Sequence, residues 1–252
     1  METPQHLSVA RPPIVEAVLD IDCDMPSDFN VVSITDRAKA AFSDDYPLRK
    51  KGMIQQLQFG GVGAQPIAVS SAPTLQVLRF FQHDEKQLIQ IRADGFSFNR
   101  LAPYPGMDML KDELRRTWDE FVRLTKPLQV RTVRLRFINR IQLPLTNGKV
   151  DMDDFLQCGP RLADEQRLVL VGWLNQNVVV DTRTNSLITT VMSLEPAVAD
   201  AIPLIFDIRT ERNVGLEPND WLALDACIES LRDLKNMVFK NSLTAKCLAL
   251  FQ

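Results

Sequence analysis

Between Gln129 and Leu145 the chain reads QVRTVRLRFINRIQLPL, with apolar and polar residues alternating at period two. That period marks a β-strand with one buried face. Val133, Leu135, Phe137, Ile141 and Leu143 share one side with Asn139, and Thr132, Arg134, Arg136, Ile138, Arg140 and Gln142 share the other. A polar Asn139 on an apolar face requires a hydrogen bond to backbone. The arginines require water, anions or carboxylates opposite them. A salt-bridged sheet face is the commoner reason for such a cluster, and an anion or nucleic-acid site is the alternative.

The same alternation opens the chain. After a loose lead-in over residues 1–12, IVEAVLDIDCDM places Val15, Ala17, Leu19, Ile21 and Cys23 on one face and Glu16, Asp20, Asp22 and Asp24 on the other. A helix is expected over Val32–Phe42, capped by Ser27 or Asp28 and ended by Tyr46-Pro47. Met53–Phe59 alternates as a strand, and Gly60–Pro73 is a long bland loop with room for a short strand at Ile67–Val69. Leu75–Phe81 and Gln87–Ile91 form a hairpin, and Asp94-Gly95 turns into a strand bearing Phe96 and Phe98. Met107–Thr125 has apolar residues every three to four positions and reads as a helix stopped by Lys126-Pro127.

The second half repeats the order. After Gln129–Leu145 come a short helix at Asp151–Gln157, a strand or bent pair at Arg167–Val180, and strands at Leu187–Leu194 and Pro203–Thr210. A long helix follows from Pro218 to about Leu250, with Trp221, Leu224, Ile228, Leu231, Leu234 or Lys235, and Val238 at helical spacing. The fold class is therefore α+β. Two similar strand–helix–strands–helix halves, 13–127 and 128–252, carry mainly antiparallel sheets with helices packed on one face, packed as one unit. An internal duplication about a pseudo-twofold axis would produce that order. If the equivalent strands 14–24 and 129–145 are neighbours, their acidic and basic faces should form cross-strand ion pairs.

Composition narrows the function classes. The 252 residues are 45% hydrophobic and carry a net charge of −3, so no general field draws nucleic acid to the molecule. Cys23, Cys158, Cys227 and Cys247 form no C-x-x-C pair and read as free thiols of a reducing cytosol. Neither a signal peptide nor a membrane span is recognisable, so a soluble, cytoplasmic protein is expected.

The two histidines, His6 and His83, have no ready partners, which disfavours catalytic triads and zinc. Gly60-Gly61-Val62-Gly63 lacks dinucleotide-loop spacing, and no P-loop occurs. Asp20, Asp22 and Asp24 are a conceivable magnesium site, whereas Asp151, Asp153 and Asp154 fit a helix start better. No cofactor and no metal are expected. Tyr104, between Pro103 and Pro105 and just after Arg100, is either a rigid contact or a core plug, the plug being favoured.

Four phrases, RPPIVEAVLDI (11–21), FNRLAPYPG (98–106), VRLRFINRIQLP (133–144) and NSLTAKCLALF (241–251), together resemble a sporadically distributed bacterial family of about this length with no established activity. The resemblance spans nearly the whole chain and carries over no active-site residue. It implies a bacterial, cytoplasmic protein of patchy occurrence, a pattern that accompanies mobile elements, toxin–antitoxin pairs and phage defence.

The sequence thus leans away from an enzyme and toward a protein that binds another protein, as the neutralising or regulatory half of a two-gene system. The alternative is a phosphate- or nucleic-acid-binding module using Arg134, Arg136 and Arg140, with Arg100 and Tyr104 as further candidate binding residues. A metal-dependent hydrolase on the Asp20–Asp24 face ranks third.

Overall fold

The structure is a computed structural model that describes residues 11–54, 74–164, 167–168 and 170–252. Its described strands are β1 (Ile14–Asp24), β2 (Leu48–Ile54), β3 (Thr74–Phe81), β4 (Gln87–Arg92), β5 (Gly95–Leu101), β6 (Gln129–Pro144), β7 (Leu174–Asp181), β8 (Ser186–Leu194) and β9 (Ala201–Leu216). They form one antiparallel nine-stranded sheet in the order β2-β3-β4-β5-β1-β6-β9-β8-β7. The described helices are α1 (Thr35–Phe42), α2 (Lys111–Thr125), α3 (Trp221–Ser242) and α4 (Ala245–Ala249). This is a sheet-dominated α+β fold.

The sheet is centred on β1 and β6. Ala17 lies opposite Phe137, Leu19 opposite Leu135 and Ile21 opposite Val133. Directly opposed residues share a face, so this register gathers the apolar positions of both strands on one side. Phe96 and Phe98 of β5 extend that side, facing Ile21 and Leu19. All four helices pack against it. α2 contributes Leu114, Trp118, Phe121 and Leu124, spaced to form a single stripe. Asp112 and Glu113 occupy its first turn, where acids suit the helix dipole, and Lys126 ends it in a left-handed conformation. Asp220 caps α3 through Ala223 N at 3.0 Å, and Trp118 Nε1 donates to Pro218 O at 3.0 Å, which ties α2 to the start of α3.

Two apolar clusters fill the space beneath the helices. The larger joins α1, α2 and the first half of α3 to β1, β3, β4, β5 and the first part of β6. The smaller joins Ile141, Leu143, Leu204, Phe206 and Ile208 to Phe155, Phe239, Leu243, Cys247 and Phe251. Between them, on the same face, lie the polar residues Asn139 and Lys235. Asn139 Nδ2 donates to Phe206 O at 2.8 Å, the backbone bond its position demands.

Several boundaries differ from the sequence reading. The first helix is a 3-10 turn at Val31–Ile34 followed by α1, capped by Asn30 rather than Ser27 or Asp28. α2 starts at Lys111, because Met107 and Leu110 point inward from a turn that precedes it. Asp151–Gln157 contains only a 3-10 turn, Met152–Asp154. β7 begins at Leu174, after Trp173, and β9 runs past Thr210 to Leu216. The terminal helix breaks at Leu243, whose extended backbone separates α3 from α4. The second strand is Leu48–Ile54; residues 55–59 of the expected Met53–Phe59 strand, the Gly60–Pro73 loop with Ile67–Val69, and His6 lie outside the described residues.

Gly95 is required where β5 begins. Its φ is +153°, and a Cβ there would fall on the Ile21 carbonyl oxygen of β1. Gly95→Ala is therefore expected to cost at least about 2 kcal/mol, read as a lower urea midpoint with an unchanged denaturant slope.

Candidate functional site

The sheet face away from the helices carries a lattice of charges. Asp22, only 5% exposed, is held by Arg92 Nη2 at 2.6 Å and by Arg134 Nη2. Arg134 Nε also contacts Glu211 of β9 at 3.1 Å. Arg136 engages Asp207 of β9 through both Nε and Nη2, and Arg140 Nε bonds Glu195 at 2.8 Å. Asp24 meets Arg131 at 3.0 Å, Asp20 accepts from Ser97, and Glu16 accepts from Asn99 at 3.0 Å.

The neighbouring of β1 and β6 does bring acids to arginines, but less symmetrically than the sequence reading supposed. Asp22 and Asp24 find β6 partners, whereas Arg136 and Arg140 take theirs from the other side. Arg134, Arg136 and Arg140 are thus all engaged with carboxylates. Among the described residues, no group of three or more His, Cys, Asp or Glu side chains is arranged to hold a metal ion.

The other two candidate residues sit on the helix face, apart from those arginines. Arg100 of β5 lies opposite Ala17, which lies opposite Phe137, so all three point toward the helices. The buried Nε of Arg100 has no hydrogen-bond partner. Tyr104, on the connection from β5 to α2, packs edge-on to the Phe137 ring with centroids 5.7 Å apart. It also packs against the larger cluster, as a core plug would, and burial raises its hydroxyl pKa above the usual tyrosine range.

A residue not singled out as a site from the sequence also meets Phe137 on this face. Lys235 of α3 is 8% exposed and holds Nζ 4.1 Å from the Phe137 ring centroid. Burial, and then the nearby Arg232 charge, push its pKa down to about 7. Neighbouring bases are neutralised: Arg232 meets Asp108 at 2.8 Å and Glu229 at 3.2 Å, and Lys111 meets Glu229 at 3.1 Å and Asp225 at 3.3 Å. The signal for Lys235 was present as a lysine four positions after Leu231, on the stripe that faces the sheet.

A recess lies beside the Met152–Asp154 turn. A cleft of about 730 Å³ is lined by Leu162, Leu168, Leu170, Leu194 and Ile202 among others. At its rim Asp153 pairs with Arg161 and Asp154 with Lys246. Asp151 caps Asp153 N at 3.0 Å, so these acids serve a 3-10 start and ion pairs. His83 occupies an exposed turn, and burial pushes the Cys23 and Cys247 thiols up to about 12, well away from thiolate chemistry.

No protein-family model and no curated protein sequence matches this chain. No described helix is long and apolar enough to cross a membrane.

Two stability predictions follow from the charged groups. Asp22→Ala removes the nearly buried carboxylate that Arg92 and Arg134 share, each keeping one further acid (Asp94 and Glu211), and is expected to cost about 2 kcal/mol, whereas Arg136→Ala, at a half-exposed pair, should cost less than about 1 kcal/mol by urea unfolding. For Lys235 the folded-state pKa lies below the unfolded one, so the unfolded chain binds the extra proton. Its contribution to stability therefore rises with pH from about 7 to the ordinary lysine range, and is flat below about 7. Lys235→Met should stabilise the protein by a few kcal/mol, on the order of the linkage, near pH 7, with the gain shrinking toward pH 10.

Proposed function

We propose that this chain is a non-enzymatic protein-interaction protein that receives an extended segment of a different protein on the edge of its sheet. The observation that carries the reading is β7. Among the described residues it is the last strand of the sheet, and each residue from Leu174 to Val180 is exposed. No charge and no proline interrupt those residues, so the edge lacks the usual devices against strand addition. Val178 and Val180 stand on one face and Val179 on the other, each about half exposed at 55%, 53% and 51%. Outward backbone groups select an extended strand, and the valines select an uncharged, apolar one.

The partner's extent follows from area. Pairing with eight β7 residues alone falls short of the about 20–30 residues a side that stable interfaces use. Exposed Val171 (98%), Leu174 (71%) and Val198 (59%) lie around the Leu174 end of the edge, beside Leu168 and Leu194 of the cleft. A partner that lays one strand on β7 and inserts apolar side chains there reaches the required size. Two identical β7 edges leave that end surface largely uncovered, which favours a different protein over a second copy.

A nucleic-acid or phosphate role for Arg134, Arg136 and Arg140 is less well supported, since each already meets a carboxylate. The placement of the protein in a bacterial cytoplasm, as the neutralising or regulatory half of a toxin–antitoxin or phage-defence pair, rests on the patchy occurrence of the family its phrases resemble. Descent from a duplicated unit is supported by chain order. β1 and β6 pair at the centre, β5 and β9 flank them, and α2 and α3 follow those flanking strands.

The test is recovery of a stoichiometric partner from the native host with wild-type protein and with Val179→Lys, followed by hydrogen exchange of the complex. Loss of the partner in the variant and protection of the amides of residues 174–181 are expected. Recovery of no stoichiometric partner, or a partner that leaves those amides unprotected, overturns the reading. Light scattering that shows a dimer abolished by Val179→Lys assigns the edge to a second copy and also overturns it.

A further inference from the structure

We propose that the partner strand received on β7 is preceded by a helix, the two forming a helix–strand unit that fills in the second half the place α1 and β2 fill in the first. This rests on the reading of β7 as a receiving edge and adds the form, polarity and chemistry of what the edge receives.

The two halves of the sheet correspond strand by strand. Outward from the central pair β1 and β6, β5 matches β9, β4 matches β8 and β3 matches β7. In each half the last two of these strands form an antiparallel hairpin, and a long helix follows the strand beside the centre. The match ends at the outer edge. β3 is closed by β2, paired antiparallel from Leu48 opposite Phe81 to Ile54 opposite Thr74. Among the described residues, no strand closes β7.

The helix side shows the same gap. In the first half Val31, Ile34, Ala38 and Phe42 are buried over the outer strands, and the Phe42 ring lies 5.5 Å from that of the buried Phe80 of β3. Tyr46, just after α1, donates its hydroxyl to Glu113 of α2 at 2.6 Å and accepts from Gln87 of β4 at 2.7 Å. Asp45 pairs with Arg116 of α2 at 3.0 Å. In the second half the register carries the helix side outward from Leu135 through Thr210 and Ile188 to Val179. Val179 is half-exposed there, and Asn175 and Asn177, which share its side of β7, are exposed. A floor of the same construction has been left without its cover.

α3 supplies the wall, as α2 does for α1. Its Asp225, Glu229 and Arg232 turn toward the start of α2, where they meet Lys111 and Asp108. Ser230 turns the other way, and Arg212 ties it to Ser186 at the start of β8, with 2.8 Å to each hydroxyl. Met237 lies seven residues after Ser230, on the same stripe, and is half-exposed. Its thioether and Val179 give the seat an apolar lining that adapts to the side chains it meets. Arg212 stands beside the first residue of β8 as Tyr46 stands beside the first residue of β4, and among the described residues it has hydroxyl partners but no carboxylate.

These positions select the occupant. A strand antiparallel to β7 begins near Asp181 and ends near Leu174, so a helix before it ends near Ser186. Its last carbonyls, or an acid just beyond them placed as Asp45 is after α1, then meet Arg212. Its apolar stripe faces Val179 and Met237. In the first half the elements from Val31 to Ile54 span about 24 residues, within the about 20–30 a side of stable interfaces, whereas one strand falls short. A second copy has its own α1 and β2 seated on β3, so the unit comes from a different protein.

The complex recovered from the native host tests this with the exposed or half-exposed variants Val179→Lys, Met237→Lys and Val178→Lys. Met237→Lys is expected to weaken binding at least about tenfold, as is Val179→Lys, since each puts a charge beneath the helix. Val178 lies on the outer face, which the unit leaves open, and Val178→Lys is expected to change affinity less than about threefold. In the wild-type complex, oxidation of Met237 by dilute peroxide should slow. A photo-cross-linking residue at 237 should capture a partner segment N-terminal to the one captured from 176. Protection of residues 174–181 with Met237→Lys binding unchanged, Met237 oxidised as fast as in the free chain, or the two captured segments in reverse order overturns the helix–strand unit and leaves the edge reading standing. Capture of this chain's own residues 31–54 from a second copy also overturns it. Recovery of no stoichiometric partner overturns both readings together.

Discussion

The antiparallel pairing of β1 with β6 is the constraint from which the rest of this molecule follows. Because the side-chain period of a strand is two, the single choice that sets Leu19 against Leu135 also sets Asp20 against Arg134 and Ala17 against Phe137. A slip of one residue would carry the acids of β1 under the helices and expose Leu19 and Ile21. The other strands inherit their faces from this pair, β5 through Phe98 opposite Leu19 and β9 through Ile208 opposite Phe137. The helices then have one apolar surface to cover, and all of those described lie on it.

The same pairing explains the charged face without recourse to function. Arg92 of β4 and Arg134 of β6 reach Asp22 from its two sides, and Glu211 and Arg209 of β9 continue the row. The arrangement holds its members more by mutual saturation than by pair strength, since exposed pairs contribute little and the largely buried Asp22 would be costly alone. Arginines that from sequence alone resemble an anion site are here the counter-ions of their own sheet.

What the sequence made legible was whatever depends on local period. The alternations assigned faces correctly over Ala17–Asp24 and Thr132–Leu143 but not at the start of β1, where a register shift turns Ile14 into the core in place of Val15. Asn139 could be recognised as backbone-bonded because a lone amide on an apolar face has little else to do. Partner choice between strands is non-local and was not legible. Nothing in β6 alone announces that Arg136 pairs with Asp207 of β9 in preference to an acid of β1. Element ends were misplaced where apolar periodicity outran the hydrogen bonding, as at Met107 and Leu110, which are buried yet belong to a turn. Of the five candidate site residues, the two that share the helix face, Arg100 and Tyr104, were named for being near each other in sequence. Lys235 was hidden because periodicity treats a lysine on an apolar stripe as an error in the stripe.

The buried polar groups of the helix face divide by a simple criterion. Asn139 gives its amide to Phe206 O, Thr210 gives its hydroxyl to the Leu135 and Leu231 carbonyls, and Gln87 donates to the Tyr46 hydroxyl at 2.7 Å. Each of these satisfies itself within the fold and serves to fix strands and helices in place. Arg100 and Lys235 stand on the same face but are held differently, Arg100 part buried with an unpartnered Nε and Lys235 with its amine over the Phe137 ring. An internal hydrogen-bond partner marks the first group as part of the architecture, whereas Lys235, facing an aromatic ring in place of a carboxylate, shows the cost of its burial as a lowered pKa.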